Sequence, residues 1–122
     1  MSELAILSAL MLKHLICDFP LQTPYQFLNK GIYGHPGGLL HVAIHAVGTV
    51  IALSLFTSFL AALGLALLDA FVHYHIDWAK NKINRRFNLK PTDGAGFWFT
   101  FGLDQYLHQM TYILLVYLLV HP

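Results

Sequence analysis

Cysteine is almost absent from this chain. Cys17 is the only one in 122 residues, so neither an intrachain disulfide nor a thiolate metal cluster can form. Any metal must be held by nitrogen and oxygen. Charge is also scarce: 11% of residues are Asp, Glu, Lys or Arg and 57% are hydrophobic, with a mean hydropathy of +0.57. A soluble domain carries roughly a quarter charged residues, so this composition excludes that class and points to an integral membrane protein in contact with the lipid bilayer. No basic stretch interleaved with aromatics is present, and the net charge is only +1, which excludes nucleic acid as the expected partner. Internal repeats and low-complexity segments are missing, and the length suits a single domain over residues 1–122. The apolar run Leu4 to Cys17 has no basic leader and no small-x-small end and carries Lys13 and His14; it is read as a retained helix, not a cleaved signal.

The pattern predicts an all-α fold, a bundle of four transmembrane helices with a short interfacial helix after the first. The first helix is expected from Ser2 to about Asp18, short for a span of ~20 residues, with Pro20 and Pro24 interrupting it. Thr23 followed by Pro24 reads as a cap and first helical position for a short segment through Asn29. A loop rich in Gly and Pro, Gly31 to Gly38, precedes a second helix over Leu39–Phe56. Beyond the Thr57/Ser58 link, a third helix is expected from Phe59 to Ile83, with Ala62, Ala66 and Ala70 forming a small-residue stripe suited to close contact in lipid. A polar loop leads to a fourth helix over Phe97–Val120.

Lysine and arginine in short loops set orientation. With alternating helices, the segment after helix one and the loop after helix three share one side and hold Lys30, Lys80, Lys82, Arg85, Arg86 and Lys90. That side is expected to be cytoplasmic, in a bacterial inner membrane, with both termini outside the cytoplasm.

Four pairs of His or Asp stand four residues apart within or beside the apolar runs: His14/Asp18, His41/His45, His73/Asp77 and Asp104/His108. Residues at that spacing face the same side of a helix, about 5–6 Å apart at Cβ, so each pair is a two-pronged ligand set. The loop charges place all four pairs in the cytoplasmic half. Asp18, Asp69, Asp77 and Asp104 lie in or beside apolar helices, where a central Asp costs roughly 2.5–3.5 kcal/mol. A divalent cation offsets that cost, since structural zinc sites bind with energies on the order of 10–16 kcal/mol. Eight ligand-capable side chains exceed the four around one tetrahedral zinc. They suit two adjacent ions, or one ion with surrounding residues orienting the imidazoles; two is the favoured count. Mixed nitrogen and oxygen ligands suit zinc, iron or manganese.

Asp69 lies two turns before Asp77 on the same face and deeper, as a partner behind the ligands, a proton relay or a helix–helix hydrogen bond. Gln22, Gln26 and Gln105 are polar residues near the cluster and candidates for substrate contact. His75 points about 200° away from His73 and reads as interfacial, while His35 and His121 read as incidental. The aromatic residues Trp78, Phe97, Trp98, Tyr106, Tyr112 and Tyr117 suit interface anchoring and packing, and Lys80 suits a snorkelling position.

The strings HxxxDFxxQ from His14 to Gln22, the paired His41 and His45, HxxxDxxK from His73 to Lys80 and DQxxH from Asp104 to His108 resemble a bacterial and phage membrane family catalogued as domain of unknown function 3307. The match covers nearly the whole chain. A looser resemblance, through intramembrane His/Asp motifs, is to inner-membrane proteins described as metal-dependent hydrolases. It implies hydrolysis. No role is carried onto Pro20 or Asp69.

The leading expectation is a membrane-embedded metal-dependent hydrolase acting on a phosphoester or an amphiphilic substrate, a small molecule or a lipid-like one, near the cytoplasmic face. A metal lowers the pKa of its water to about 7, and an Asp free of coordination, Asp18 or Asp77, accepts the proton. Ion or proton transport is the alternative, although the ligands crowd into one leaflet and four helices leave little room for a pore. Haem ligation by the histidines is disfavoured by the accompanying carboxylates. A metal-stapled structural or partner-binding role, and a homo-oligomer, are both compatible with the sequence.

Overall fold

A computed structural model describes residues 2–122. All regular structure among them is helical: α1 (Glu3–Asp18), α2 (Pro24–Phe27), α3 (Pro36–Ser54), α4 (Phe59–Arg86) and α5 (Ala95–Val120). The boundaries follow local chemistry. Ser2 and Ser58 cap α1 and α4 by accepting from the backbone N–H groups of Ala5 and Ala61, satisfying donors that have no partner inside the helix. Pro24 and Pro36 open α2 and α3 at the position where the missing N–H costs nothing.

The second long helix starts at Pro36, three residues ahead of the expected Leu39, because His35 caps it: the Gly37 N–H donates to His35 Nδ1 at 2.9 Å. The residue read as incidental therefore ends a loop and begins a helix. Gly37 and Gly38 are glycines because the segment around α2 crosses closely there. A Cβ on Gly37 would run into the Tyr25 carbonyl oxygen, and one on Gly38 would lie 3.1 Å from Lys30 Cα.

α1 packs on α3 and α5, α4 packs on α3 and α5, and α2 rests on α3. The buried face of each long helix follows the helical repeat, with Ile6, Leu10, Lys13, His14, Cys17 and Asp18 on α1, and Ala62, Ala66, Asp69, His73 and Asp77 on α4. Along the helices the interior changes character. One end is an apolar core of Ile6, Leu10, Ala52, Leu53, Ala62, Tyr112, Leu115 and Val116. The other end is polar: Lys13, His14, Asp18, Gln26, Lys30, His41, His45, Thr49, Asp69, His73, Asp77, Asp104 and His108 are all buried. The outward faces carry large hydrophobic side chains, among them Leu12, Leu15, Val47, Ile51, Leu60, Leu67, Phe71, Phe99 and Leu114.

Two helices, α3 and α4, are long and apolar enough to cross a membrane, where four were expected. α1 has 16 residues, below the length of a full span, and α5 has the length at 26 residues but carries Asp104, Gln105, His108 and Gln109 around its middle.

Candidate metal centre

Four helices bring the four pairs together. α1 delivers His14 and Asp18 from its last two turns, α3 delivers His41 and His45 from its first half, α4 delivers His73 and Asp77, and α5 delivers Asp104 and His108. All eight residues are buried, each with 8% exposure or less. Five imidazoles pack against one another, with ring centroids 3.8 Å apart for His45 and His73 and 4.1 Å for His73 and His108.

Three overlapping sets place one ligand atom per residue within 4.8 Å of all others in the set: Asp18, His41, His45 and His73; His14, His73 and His108; and Asp77, Asp104 and His108. Two carboxylates join them. Asp18 Oδ1 lies 2.9 Å from His45 Nε2 and 3.2 Å from His41 Nε2, while its Oδ2 lies 2.9 Å from His14 Nε2. Asp77 Oδ2 lies 3.2 Å from His41 Nε2 and 3.3 Å from His73 Nε2, while its Oδ1 lies 3.2 Å from His108 Nε2. The His108 nitrogen is also 3.4 Å from Asp104 Oδ1.

Those separations suit ligands around an ion. Tetrahedral bonds of about 2.0–2.1 Å put neighbouring ligand atoms about 3.3–3.4 Å apart. The hydrogen-bonding pattern points the same way. Asp77 Oδ2 has three nitrogens within 3.3 Å, from His41, His73 and Lys30, yet accepts no hydrogen bond, and Asp104 Oδ1 is likewise buried without a partner. The Lys30 ammonium offsets the charge of Asp77, which leaves Asp104 Oδ1, with His108 Nε2 3.4 Å away, as the buried oxygen that a cation would satisfy.

The residues behind the cluster set the imidazole tautomers. Gln26 donates through its amide to the Leu21 carbonyl at 3.0 Å, so its Oε1 faces His41 Nδ1 at 3.0 Å and accepts from it. With the ring proton on Nδ1, His41 Nε2 has a free lone pair aimed at the cluster, which is the usual wiring of a metal-binding histidine. His45 and His14 are wired in the opposite sense. Lys13 gives its three hydrogens to Asp69 Oδ2 at 3.0 Å, Tyr112 Oη at 3.3 Å and His45 Nδ1 at 3.3 Å. Tyr112, accepting from Lys13, donates in turn to His14 Nδ1 at 2.7 Å. Both rings then carry their proton on Nε2, toward Asp18. Thr49 completes this network by donating to Asp69 Oδ2 at 2.6 Å.

Asp69 thus lies behind the ligands as the partner of Lys13. Gln105 sits at the cluster, its Oε1 3.1 Å from His14 Nε2 and its amide donating to Asp104 Oδ2 at 3.1 Å. Gln22 donates to the Asp18 carbonyl at 2.6 Å, leaving its Oε1 buried without a partner. His75 stays on the far face of α4, 3.1 Å from the Tyr33 hydroxyl. Several residues at the centre carry roles the sequence did not suggest. Lys30, counted as a loop charge, is 6% exposed and pairs with Asp77 at 3.2 Å. Tyr112, grouped with interface aromatics, is 1% exposed. Lys80 reaches back to Asp104 at 3.8 Å. For Lys13 a signal existed, since a lysine in the middle of an apolar helix needs a partner; Gln26 stands out in one dimension only as a polar residue near the cluster, and Tyr112 not at all.

The fold and centre define an all-helical protein whose buried His and Asp groups are able to hold a metal ion. The chain belongs to the family described as Protein of unknown function (DUF3307), which matches residues 6–122. No curated protein and no solved structure matches it. The comparisons lend nothing to the resemblance to metal-dependent hydrolases, so any reading of the chemistry rests on the centre itself.

Proposed function

We propose that the protein is a membrane-embedded bundle of four helices that binds two divalent ions near the cytoplasmic face and hydrolyses a phosphoester there. The exposed apolar faces of all four long helices and the polar interior support placement in lipid, where helices associate through close packing and polar contacts because lipid tails are as apolar as leucine. Lys30, Lys80, Lys82, Arg85 and Arg86 lie toward the same end as the His/Asp centre, which supports the cytoplasmic assignment.

The observation that carries the metal reading is the bridging position of Asp18 and Asp77, each with its two oxygens facing different histidines. One ion fits among Asp18, His41, His45 and His73, and a second among Asp77, Asp104 and His108, with His14 between them. Bound there, a divalent ion supplies Lewis acidity and a nucleophile from water at neutral pH. The chain's own part is to hold the two positions and to keep an oxygen of Asp18 or Asp77 as the proton acceptor, while Lys13, Tyr112 and Asp69 hold the His14 and His45 rings from behind. That network ends at Thr49 and Asp69. The buried residues beyond it on α3 and α4, Ala52, Leu53, Ala62 and Ala66, are apolar, which favours chemistry within one leaflet over passage across it.

Elemental analysis of the purified protein, beside a variant with alanine at both His41 and His45, tests this. The expected result is two ions per wild-type chain, loss of at least one in the variant, and chelator-sensitive hydrolysis of a generic aryl phosphoester. Wild-type protein free of metal, or a variant that keeps full metal content, overturns the metal reading; full occupancy with no turnover of any phosphoester overturns the hydrolase reading alone.

A further inference from the structure

Two apolar grooves open on the lipid-facing surface. The larger, about 650 Å³, lies between α1 and α3; its one lysine, Lys13, turns its ammonium inward to Asp69, so nothing polar faces an occupant's head. The smaller, about 410 Å³, lies between α4 and α5 and differs in that respect. Its wall is apolar at Phe71, Val72, Ile76, Ala79, Leu103 and Leu107, with His75, whose ring nitrogens pair with the Phe71 carbonyl and the Tyr33 hydroxyl, at its side, and at one level it meets Lys80, Thr100 and Asp104. Asp104 belongs to the metal centre, and its Oδ1 is one of the buried oxygens without a partner. Lys80 is the loosest of the lysine–aspartate pairs, 3.8 Å from Asp104 and 16% exposed in its side chain, so its ammonium is free to turn to another anion. From Phe71 to Lys80 the groove runs nine residues along α4, about 14 Å at 1.5 Å per residue.

Charge completes the picture. The interior holds four carboxylates, Asp18, Asp69, Asp77 and Asp104, against three ammoniums, Lys13, Lys30 and Lys80, an excess of one negative charge with neutral histidines. Two divalent ions convert that into three positive charges, which in a low-dielectric site call for an anionic ligand. We propose that the α4/α5 groove seats the hydrocarbon chain of a single-chain amphiphile whose phosphate headgroup lies between Lys80 and the Asp77/Asp104/His108 position. This rests on the metal reading, since Asp104 would repel a phosphate without a cation beside it. The chain then runs from the headgroup level toward the deeper end of α4, as a lipid of the same leaflet does.

The test uses the full chain loaded with Mn²⁺ in a phosphorus-free glycoside detergent, reading broadening of the ³¹P line as each probe approaches the ion. Dodecyl phosphate is expected to bind at least tenfold more tightly than inorganic phosphate, with affinity rising from butyl to octyl to dodecyl phosphate. Ala79→Leu, which fills the groove and keeps the metal count, brings dodecyl phosphate down to the level of inorganic phosphate and leaves the latter unchanged. Lys80→Gln weakens both at least fivefold. Metal held at full count with no dependence of affinity on chain length overturns the groove and leaves the metal reading standing; protein that takes up no Mn²⁺ overturns both. The chain-length series needs no variant, so the inference stands or falls even where a substitution impairs folding.

Discussion

Replacing Gln26 with leucine isolates one hydrogen bond that matters only when metal is bound. His41 is 1% exposed, and its Nδ1–H donates to Gln26 Oε1 at 3.0 Å. In metal-free protein the ring answers the loss of that acceptor by moving its proton to Nε2, where Asp18 Oδ1 and Asp77 Oδ2 stand 3.2 Å away. With an ion on Nε2 the proton is confined to Nδ1, a buried donor with no acceptor, at a cost of about 1–3 kcal/mol. Loss of a comparable partner behind a metal ligand weakens affinity about 10–100-fold, which corresponds to about 1.4–2.7 kcal/mol, so the two routes to the magnitude agree. The other bond of Gln26, to the Leu21 carbonyl, is lost equally from both states and cancels. Competition titration against a chelator at fixed pH should therefore show Gln26→Leu binding metal 10–100-fold more weakly, with metal-free thermal stability falling by the smaller amount the Leu21 contact supports. Gln26→Glu, which keeps an acceptor, should restore binding. Unchanged affinity in Gln26→Leu, or a loss of stability as large without metal as with it, would refute the assigned tautomer.

Lys13→Met leaves Asp69 as an unpaired buried carboxylate and is expected to destabilise the protein by about 3–5 kcal/mol; adding Asp69→Asn should recover most of that in thermal unfolding, and strict additivity of the two substitutions would sink the pairing. Gly48→Ala puts a methyl 2.8 Å from Lys13 Cγ and 3.2 Å from Cys17 Sγ, so α1 must move off α3 or Lys13 must shift, at about 1–3 kcal/mol; wild-type stability for this variant would contradict the close crossing. Metal uptake needs the ligand imidazoles in their neutral form, and His14 and His45 meet an ion through Nε2 only when the ring proton passes to Nδ1 and the Tyr112 and Lys13 donors turn away. Affinity therefore falls as pH falls and the imidazoles protonate, and a metal affinity in titration calorimetry that does not change between neutral and acidic pH would rule out histidine ligation.

The helical elements were legible in one dimension because they rest on local signals. Ser2 and Ser58 cap, Pro24 and Pro36 open, and the apolar runs have the length of helices, so expected and observed limits differ by a few residues. The early start of α3 escaped notice because a histidine cap is rare beside Ser, Thr, Asp or Asn. The eight His/Asp positions were also legible, since a spacing of four on a helix fixes a shared face whatever the tertiary packing.

What spacing does not encode is the partner across an interface. Lys30 follows α2 and reads as a loop charge, yet the fold carries it to Asp77 on α4. Gln26 and Tyr112 look like interfacial polar and aromatic residues, and only the packing of α2 on α3 and of α1 on α5 sets them against His41 and His14. The sequence by itself determined that these helices form and that four His/Asp pairs face inward, because helix geometry and the cost of apolar burial act locally. The tertiary structure decided which oxygens bridge, which imidazole nitrogen faces the centre and which lysine offsets which aspartate, because each depends on distances of about 3 Å across helix interfaces, between residues up to 99 positions apart in the chain.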